Sequence, residues 1–390
     1  MTDSPLSGLL VADFSRVLAG PLATMTMADL GATVIKIERP GTGDDTRHWG
    51  PPWLAGTDGA SAYFDCLNRG KHSVALDLDA PADRDAAAEL VRRADVLVEN
   101  FRPGVLARHG LDYPSARDLN PRLVYASITG FGDGAGAALP GYDFVVQAAG
   151  GLMSITGEPD GDPLKAGVAL VDALTGKDAL IGVLAALRHR DRTGAGQHVR
   201  VNLLSSLLGG LTNQVAAYLT TGDAPARMGN RHPSIAPYET LRCADGLLAV
   251  AVGTDAQFAR FAAALGVDGL ARDPRFAANA ARVANRPELV AELERALAAR
   301  TARDWEERLH TAGIACAPVN DIASAVRYAD DLGLAPVLDL GPGRPGQIRT
   351  PIDLSAAPPH VPSPPPGLDE HGDTVRAWLR EPSDTPWSTP

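Results

Sequence analysis

The first third of the chain alternates short apolar runs with amphipathic stretches, and this pattern constrains the fold more than any other feature. The apolar runs Leu9–Phe14, Val34–Ile37 and Leu123–Ile128 are typical of buried strands. The intervening stretch Asp83–Arg93 is typical of a helix. Such alternation indicates a parallel sheet, because parallel strands need a long crossover between them. We therefore predict an α/β fold with a large Rossmann-like open parallel-sheet domain, covered by helices on both faces.

Polar residues follow several of these predicted strands at the point where each strand ends. Glu38-Arg39 follows the second strand, and the segments Asn100-Phe101-Arg102 and Thr129-Gly130-Phe131 follow later ones. In open parallel sheets, ligands bind outside the carboxyl ends of the strands. The sequence therefore predicts a ligand site at this edge of the sheet.

The character of the sequence changes near Pro225. A strand at Leu247–Val252 and alanine-rich helices at Asp255–Leu265 and Pro287–Arg300 predict a smaller α+β domain. A chain of 390 residues also exceeds what one hydrophobic core usually organises. We predict a discontinuous large domain of residues 1–205 and 316–390, a linker helix at 206–225 and a small domain at 226–315.

Charge and hydropathy exclude two classes of partner. The formal net charge of -11 argues against nucleic-acid binding, which requires basic side chains to replace the counterions of phosphates. The longest apolar helix candidate, Leu203–Leu219, is interrupted by Asn213 and Gln214 and is short for a bilayer span. We therefore predict no nucleic acid and no membrane among the partners.

The cysteines indicate the compartment. Cys66, Cys243 and Cys316 lie far apart without CxxC spacing, so they form neither a disulfide framework nor a zinc site. We predict a cytoplasmic protein without a metal centre.

Asp172 ends an apolar run and precedes a helix that begins near Leu174. The chain contains no GxSxG, HExxH or Walker motif, so any chemistry must come from ordinary side chains. By position alone, Asp172 is a helix cap that accepts backbone N–H bonds.

Asp172 lies in the stretch Lys165–Ser206, and five further motifs precede this stretch in a fixed order. They are Asp13–Pro21, which reads DFSRVLAGP; Ala28–Glu38, which reads ADLGATVIKIE; Asn68–Lys71, which reads NRGK; Val98–Gly104, which reads VENFRPG; and Gln147–Met153, which reads QAAGGLM.

Together these segments resemble the class III coenzyme A transferases, the family of formyl-CoA transferase and the carnitine CoA-transferases. The resemblance extends from Leu6 to about Pro359. The resemblance implies that Asp172 is the nucleophile. It would attack an acyl-CoA thioester, form a mixed anhydride and then hold CoA as an aspartyl thioester, which is covalent catalysis. Coenzyme A and acyl-CoA would be substrates, with no permanently bound cofactor. The family also implies an interlocked homodimer.

The resemblance also implies two groups of neighbouring site residues. Contacts to CoA fall on Arg16, Arg39, Lys71, Asn100, Phe101 and Arg108. Neighbours of the acyl group fall on Leu18, Tyr142, Asp143, Gln147 and His232. Arg39 and Arg108 are equally typical of surface ion pairs, Arg16 is more typical of a surface ion pair than of a CoA contact, and His232 is equally typical of an exposed loop. Asp143 is either a like-charge neighbour that raises a pKa or the cap of its own helix.

Two alternative functions share these motifs. α-Methylacyl-CoA racemases pair the aspartate with a histidine in a Gly-His-Asp motif, but this chain reads Gly141-Tyr142-Asp143. A tyrosine with an ordinary pKa near ~10 is a poor base at neutral pH, which favours CoA transfer. A non-catalytic acyl-CoA-binding protein is the second alternative. Leu18 stands where formyl-CoA transferase carries glutamine, so we expect a pocket less polar than an oxalate site.

Overall fold

The computed structural model describes residues 4–54, 60–357, 361–382, 385 and 387. Its strands are β1 (Leu10–Asp13), β2 (Thr33–Glu38), β3 (Lys71–Ala75), β4 (Val96–Glu99), β5 (Val124–Thr129), β6 (Gln197–Asn202), β7 (Tyr238–Arg242), β8 (Leu247–Ala251), β9 (Ala315–Pro318), β10 (Val337–Leu338) and β11 (Gln347–Ile348).

The α-helices of the same residues are α1 (Ala19–Asp29), α2 (Ala62–Asp65), α3 (Pro81–Arg93), α4 (Tyr113–Leu119), α5 (Asp143–Ala149), α6 (Leu152–Ile155), α7 (Leu170–Thr193), α8 (Leu203–Gly210), α9 (Thr212–Thr221), α10 (Asp255–Leu265), α11 (Asn279–Ala284), α12 (Arg286–Leu297), α13 (Ala302–Thr311), α14 (Ile322–Asp331) and α15 (Gly372–Leu379). Short 3₁₀ segments cover Asp45–His48, Leu106–His109 and Asp268–Arg272.

The chain divides into two compact units. Unit 1 contains the described residues up to Leu152, the segment Lys165–Asp223 and the described residues from Pro336 onward. Unit 2 contains Met153–Leu164 and Ala224–Ala335.

This division differs from the predicted domain boundaries in three places. Strand β9 belongs to unit 2 and not to the large domain, because it pairs antiparallel with β8. Residues 153–164 also belong to unit 2. The predicted linker helix 206–225 is divided between α8 and α9, and Thr212 at their junction has a φ of 38°. The predicted large domain also includes residues 1–3, 55–59, 358–360, 383–384, 386 and 388–390, which lie outside the described residues.

Unit 1 is built on a six-stranded sheet in the order β3-β2-β1-β4-β5-β6. All of its neighbouring strands pair in parallel, which confirms the predicted Rossmann-like sheet. The strand order reverses between β1 and β4, and a ligand crevice forms at the carboxyl edge of such a switch point. The segments that follow Asp13 and Glu99 therefore border this crevice.

Both faces of this sheet are buried, as the continuous apolar runs predict. In β1, Val11 packs with α1 and α7 on one face, and the next residue, Ala12, packs with α3, α4 and α15 on the other. Fully buried side chains such as Leu90 and Leu97 each stabilise the fold by about 1.5–3 kcal/mol.

Unit 2 has a three-stranded antiparallel sheet in the order β7-β8-β9, with α10, α12 and α13 packed around its apolar core. Helix α10 begins with a capping box formed by Thr254 and Gln257. Arg282 is fully buried and donates to the carbonyl oxygens of Ala236 and Phe276 and to Asp255. The predicted smaller α+β domain is therefore present. None of the described helices has the length and apolar character needed to cross a membrane.

Candidate active site

Asp172 lies at the carboxyl edge of the unit 1 sheet and lines a cavity of about 220 Å³. Helix α7 begins at Leu170, four residues earlier than predicted, so Asp172 lies inside its first turn and is not its cap. Leu18 and Tyr142 line the same cavity. The structure therefore brings the predicted nucleophile together with two of its predicted acyl-site neighbours.

Asp143, at the start of α5, caps helix α7. Its Oδ1 accepts hydrogen bonds from the backbone N–H of Val171 at 2.7 Å and of Asp172 at 3.2 Å. These bonds satisfy N–H groups that a helix start otherwise leaves unpaired, which explains the early beginning of α7. Of the two predicted roles, Asp143 is a like-charge neighbour of Asp172, but it caps α7 and not its own helix.

Gln147 fixes the position of Asp143. The side chain of Gln147 is fully buried, and its Nε2 donates to Asp143 Oδ2 at 2.6 Å. Its Oε1 accepts from the backbone N–H of Ala166 at 2.8 Å. Gln147 is therefore a support for the cap, and the carboxylate of Asp143 is held against the first turn of α7.

The carboxyl group of Asp172 is electrostatically unfavourable when ionised. Burial is the larger cause, and the negative charge of Asp143 is the second, and together they raise the pKa of Asp172 to about 7. Within the described ranges, no ion pair offsets this charge. A carboxyl group with this pKa is half ionised at neutral pH and poorly stabilised by its surroundings.

Tyr63, which the sequence analysis did not consider, lies within electrostatic range of Asp172 but is not among the residues that line its cavity. Burial, and then the charge of Asp172, raise the pKa of Tyr63 to about 12, so its hydroxyl keeps its proton near this carboxylate. Its ring packs edge-on against Trp49 with centroids 5.4 Å apart. Tyr63 lies in the four-residue helix α2, which is too short for any periodic signal, and only a side chain invariant among relatives could have indicated it.

The segment after β1 carries the predicted CoA contact Arg16. The side chain of Arg16 is about one-third exposed, and its guanidinium pairs with Asp45 at 3.1 Å. It also lies over the ring of Phe101, 5.3 Å from the centroid. Arg16 and Phe101 therefore form one surface at the entrance of the Asp172 cavity.

The amide of Asn100, a predicted CoA contact, is used within the protein. Its Oδ1 accepts from the backbone N–H of Arg16 at 2.9 Å, and its Nδ2 donates to the carbonyl oxygen of Arg16 at 2.7 Å. Both ends of the amide are thus used to hold the chain after β1. Asn100 still lines the Asp172 cavity, but its hydrogen-bonding groups face the protein backbone.

A second cavity, of about 180 Å³, lies at the ends of β2 and β3. Arg39, Arg16 and Phe101 line it, together with the acidic residues Glu38, Asp44, Asp77 and Asp79. Arg39 is exposed and lies at the rim. Arg108, also exposed, belongs to the neighbouring 3₁₀ segment and does not line this cavity, whereas the adjacent His109 does.

Lys71 is a correction to the predicted CoA contacts. Its side chain is completely buried, and its ammonium donates to Asp13 Oδ2, to the carbonyl oxygen of Pro21 and to Asn68 Oδ1, each at 3.0 Å. All three N–H donors of the lysine are therefore engaged inside the protein. Lys71 supports the start of α1 and cannot reach a phosphate.

His232 lies in unit 2. Its Nδ1 is 3.1 Å from the backbone N–H of Ser234, which donates to it, and its ring packs against Tyr238. Among the described residues, no group of three or more histidine, cysteine or acidic side chains is arranged to hold a metal ion.

An open parallel sheet of this order, with a poorly stabilised carboxyl group in the first turn of a helix at its carboxyl edge, is typical of an α/β enzyme. The chain belongs to CoA-transferase family III, whose model matches residues 6–372. This is the family that the sequence motifs predicted, and the predicted enzyme class is confirmed.

Individual relatives agree with this assignment. The chain is 45% identical over 385 residues to the succinate–glutarate CoA-transferase of Agrobacterium fabrum, which covers 96% of each chain. It is 42% identical over 378 residues to the acetyl-CoA:oxalate CoA-transferase of Acetobacter aceti, which covers 95% of each. A CAIB/BAIF family protein from Brucella suis has a similar crystal structure, with a TM-score of 0.88, 44% identity and coverage of 97% of this chain and 100% of that one.

Proposed function

We propose that this protein moves coenzyme A from an acyl-CoA to a carboxylic acid, with Asp172 as the covalent nucleophile. The observation that carries the proposal is the environment of Asp172: a half-buried carboxyl group, next to the like charge of Asp143 and without a cation partner in the described ranges. A charge that the protein does not stabilise is reactive once it forms, and perturbed pKa values of this kind cluster at catalytic sites.

The reaction has two halves, and in each half every acyl group passes from one carboxylate or thiolate to another without hydrolysis. The carboxylate of Asp172 attacks the thioester carbonyl, the C–S bond breaks, and a mixed anhydride and CoA thiolate result. The thiolate attacks the aspartyl carbonyl, so that the donor acid leaves and CoA remains as an aspartyl thioester. The acceptor carboxylate then repeats these steps in reverse, and Asp172 is freed without net proton transfer.

Tyr63 supplies a hydrogen-bond donor for this chemistry. Tetrahedral oxyanions form at each attack, and they are stabilised by donors already in place. The second and third N–H groups of α7 are unsuitable, because Asp143 already accepts from Val171 and Asp172. The raised pKa of Tyr63 keeps its hydroxyl protonated beside Asp172, so this group can donate to an oxyanion.

The cavity at the ends of β2 and β3 binds the nucleotide part of CoA. Arg39 and Arg16 line the cavity at the ends of β2 and β3, and Phe101 provides an apolar face there. Arginine suits phosphate because its planar guanidinium makes paired hydrogen bonds. The thioester end of CoA then extends along the Arg16–Leu18 segment into the cavity of Asp172, whose wall includes Leu18 and Tyr142. Arg108 and His232, which the structure places outside these cavities, are assigned no direct contact.

A dicarboxylic acid is the proposed acceptor class. The relatives named above act, by name, on succinate and glutarate or on oxalate, and a further relative, 41% identical over 295 residues, is the succinyl-CoA:mesaconate CoA-transferase of Haloarcula hispanica. All of these acids carry two carboxylates. The apolar Leu18 in the cavity wall favours acids with a hydrocarbon segment between the carboxylates over oxalate.

We also propose that two copies of the chain form a homodimer, interlocked as the family resemblance implies. Helix α9 has no buried residue within the described structure, and Tyr218 and Leu219 on it are 50% and 75% exposed. Exposed apolar side chains of this size on one helix are typical of a surface that a partner covers. Sedimentation at micromolar concentration measures the mass, and a stable monomer would contradict the dimer.

Mass spectrometry of the enzyme after incubation with succinyl-CoA tests the nucleophile. We expect a CoA adduct on the peptide that contains Asp172, and this adduct should disappear when glutaric acid is added as the acceptor. The Asp172→Asn variant should form no adduct. Asp178→Asn is the matched control, because Asp178 is an exposed aspartate on the same helix. Absence of the adduct together with full transfer activity in Asp172→Asn would refute the mechanism.

The racemase alternative predicts a different result, which deuterium exchange measures. A racemase exchanges the α-proton of a 2-methylacyl-CoA with deuterated solvent and forms no covalent CoA adduct. Exchange that depends on Asp172, without transfer to any dicarboxylic acid, would replace the proposed function by racemisation.

A further inference from the structure

The turn that leads from β1 into α1 is held in a conformation that its sequence disfavours. Val17 has a φ of 69°, in the left-handed region. A β-branched residue is a genuine outlier there, because its side chain crowds the neighbouring backbone. Such conformations persist only where the surrounding structure imposes them, and they concentrate at functional sites.

The buried side chains of Lys36 and Asp44 and the half-buried side chain of Asn100 hold four backbone groups of this turn. Lys36 donates from Nζ to the carbonyl oxygen of Ser15 at 2.9 Å. Asn100 binds both the N–H and the carbonyl of Arg16. Both carboxylate oxygens of Asp44 lie 3.3 Å from the backbone N–H of Val17, which donates to them.

Asp44 itself is fixed from several directions. It forms an ion pair with Lys36 at 2.9 Å in which both side chains are completely buried. Its Oδ1 also accepts from the N–H and the hydroxyl of Thr46, and its own N–H donates to Glu38. A carboxylate held by this many partners cannot move aside, so Val17 has no room to relax.

The turn rests directly on the helix of the nucleophile. Val17, Leu18 and Ala19 line the same cavity as Asp172. A side chain added at Gly176 would meet the carbonyl oxygen of Ala19 at 2.6 Å, so the two backbones are in contact at this point. Gly176 is four residues after Asp172 and therefore lies on the same face of α7.

We propose that the buried Lys36–Asp44 pair is a positioning device for the reaction, which acts through the backbone N–H of Val17 and sets the Ser15–Leu18 turn against Asp172. The proposal rests on the proposed function, in which this turn guides the thioester to the nucleophile. Asp44 and Lys36 lie in the wall of the cavity assigned to the nucleotide, but their side chains are completely buried, so the pair acts through the turn and not by direct contact with substrate. The pair keeps the wall of the Asp172 cavity at the distance that the attack requires, and an error of about 1 Å in such positions can cost 10²-fold in rate.

A double-mutant cycle between Asp44 and Val17 tests the coupling. Glycine adopts the left-handed region without crowding, so Val17→Gly removes the need for a clamp. With valine at position 17, we expect Asp44→Asn to lower kcat at least about tenfold. The KM for acyl-CoA should change much less than kcat. In the Val17→Gly background, whatever its own activity, the same change should lower kcat no more than about threefold.

A second buried ion pair in unit 1 provides the matched control. Arg69 and Asp29 are paired at 2.7 Å, and the pair makes no hydrogen bond to the turn. Asp29→Asn should lower the free energy of unfolding, but its effect on kcat should be the same in both Val17 backgrounds. Equal effects of Asp44→Asn in the two backgrounds would overturn the proposal, since Asp44 would then act on general stability alone.

Two further measurements cover the remaining outcomes. If Asp44→Asn does not fold, the double variant Lys36→Met with Asp44→Leu removes the carboxylate that accepts from the Val17 N–H and leaves neither charge of the pair behind. Val17→Asn provides a second background, because asparagine also tolerates the left-handed region at position 17. The rate of aspartyl–CoA formation separates the two hypotheses. No adduct in the unmodified enzyme refutes the proposed function, whereas a normal adduct with an additive cycle refutes only the clamp.

Discussion

Two aspartates in unit 1, the buried Asp13 and the half-buried Asp172, have opposite environments. Asp13, at the end of β1, accepts from Lys71, Ser15 and Thr24, and its side chain is completely enclosed. Burial alone would raise its pKa, but Lys71 and then Lys36 lower it to about 2. Asp172 has no such cations, and burial with Asp143 raises its pKa to about 7.

The difference separates structural charge from reactive charge. The carboxylate of Asp13 is neutralised and hydrogen-bonded, so it stabilises the fold and is unavailable as a nucleophile. The carboxylate of Asp172 is left uncompensated at the wall of a cavity, so it costs stability, and in the proposed function it is the reactive group. The two aspartates therefore predict opposite outcomes for the same chemical change, aspartate to asparagine.

The largest effect is expected on activity from Asp172→Asn. The amide cannot form an anhydride, so transfer measured with saturating acyl-CoA and acid should fall about a thousandfold or more. Asp178→Asn, on the exposed face of the same helix, should retain full activity. A loss below tenfold would mean that Asp172 is not the group that carries CoA.

The same variant should be more stable than the unmodified protein at high pH. Because the folded pKa of Asp172 lies above its unfolded value near 3.8, the folded state binds more protons between these pH values, and the stability from this group falls as pH rises from about 4 to about 7. Asp172→Asn should raise the free energy of unfolding at pH 8 by on the order of 1–4 kcal/mol. Urea unfolding at pH 8 and pH 4 checks this, and the gain should vanish at pH 4.

Asp13→Asn should have the opposite sign. It leaves the ammonium of Lys71 buried without its carboxylate partner, and breaking a buried pair from one side costs about 3–5 kcal/mol. Urea unfolding at pH 7 measures the loss. Asp13→Leu with Lys71→Met, which removes both charges, should cost less than Asp13→Asn alone, and a greater cost would contradict the assignment of this pair as mutually compensating.

The pH dependence of the reaction tests the contribution of Asp143. Only ionised Asp172 attacks, so kcat/KM should rise with pH through about 7 and level off above it. Asp143→Asn removes the like charge but retains an oxygen that can accept from Val171, so the rise should move to lower pH. An unchanged midpoint in this variant would show that burial alone raises the pKa of Asp172.

Much of the fold could be predicted from the sequence because parallel strands buried on both faces produce continuous apolar runs. The run Leu9–Phe14 became β1 at Leu10–Asp13, and Val34–Ile37 became β2 at Thr33–Glu38. The partners of the polar residues could not be predicted in this way. A motif lysine such as Lys71 has the same sequence signal whether its ammonium faces a phosphate or a buried carboxylate, and only the pairing of β3 beside β2 decides which.

The residues of the site could be predicted from the sequence, but most of their contacts could not. Asp172, Leu18 and Tyr142 were placed together by ordered motifs, and the structure brings them to one cavity. The cap from Asp143 and the approach of Tyr63 depend on contacts between elements distant in sequence. Such contacts have no local pattern, which is why the role of Asp143 stayed open and Tyr63 was missed.

The smallest predicted effect concerns Arg39, which differs from the nearby cation Lys36. Lys36 lies within β2 and is buried against Asp44, whereas Arg39 directly follows β2, is exposed and, among the described residues, has no carboxylate partner. Arg39 is therefore free for the phosphates of CoA. Arg39→Ala should raise KM for acyl-CoA about three- to tenfold at low salt and leave kcat nearly unchanged, because an interaction made equally in the ground state and the transition state affects only binding. Arg117→Ala, at an exposed arginine of α4 away from both cavities, should leave KM unchanged. If Arg39→Ala lowers kcat instead, the guanidinium contributes to the attack itself, and the separation of binding charge from reactive charge would not hold at this edge of the sheet.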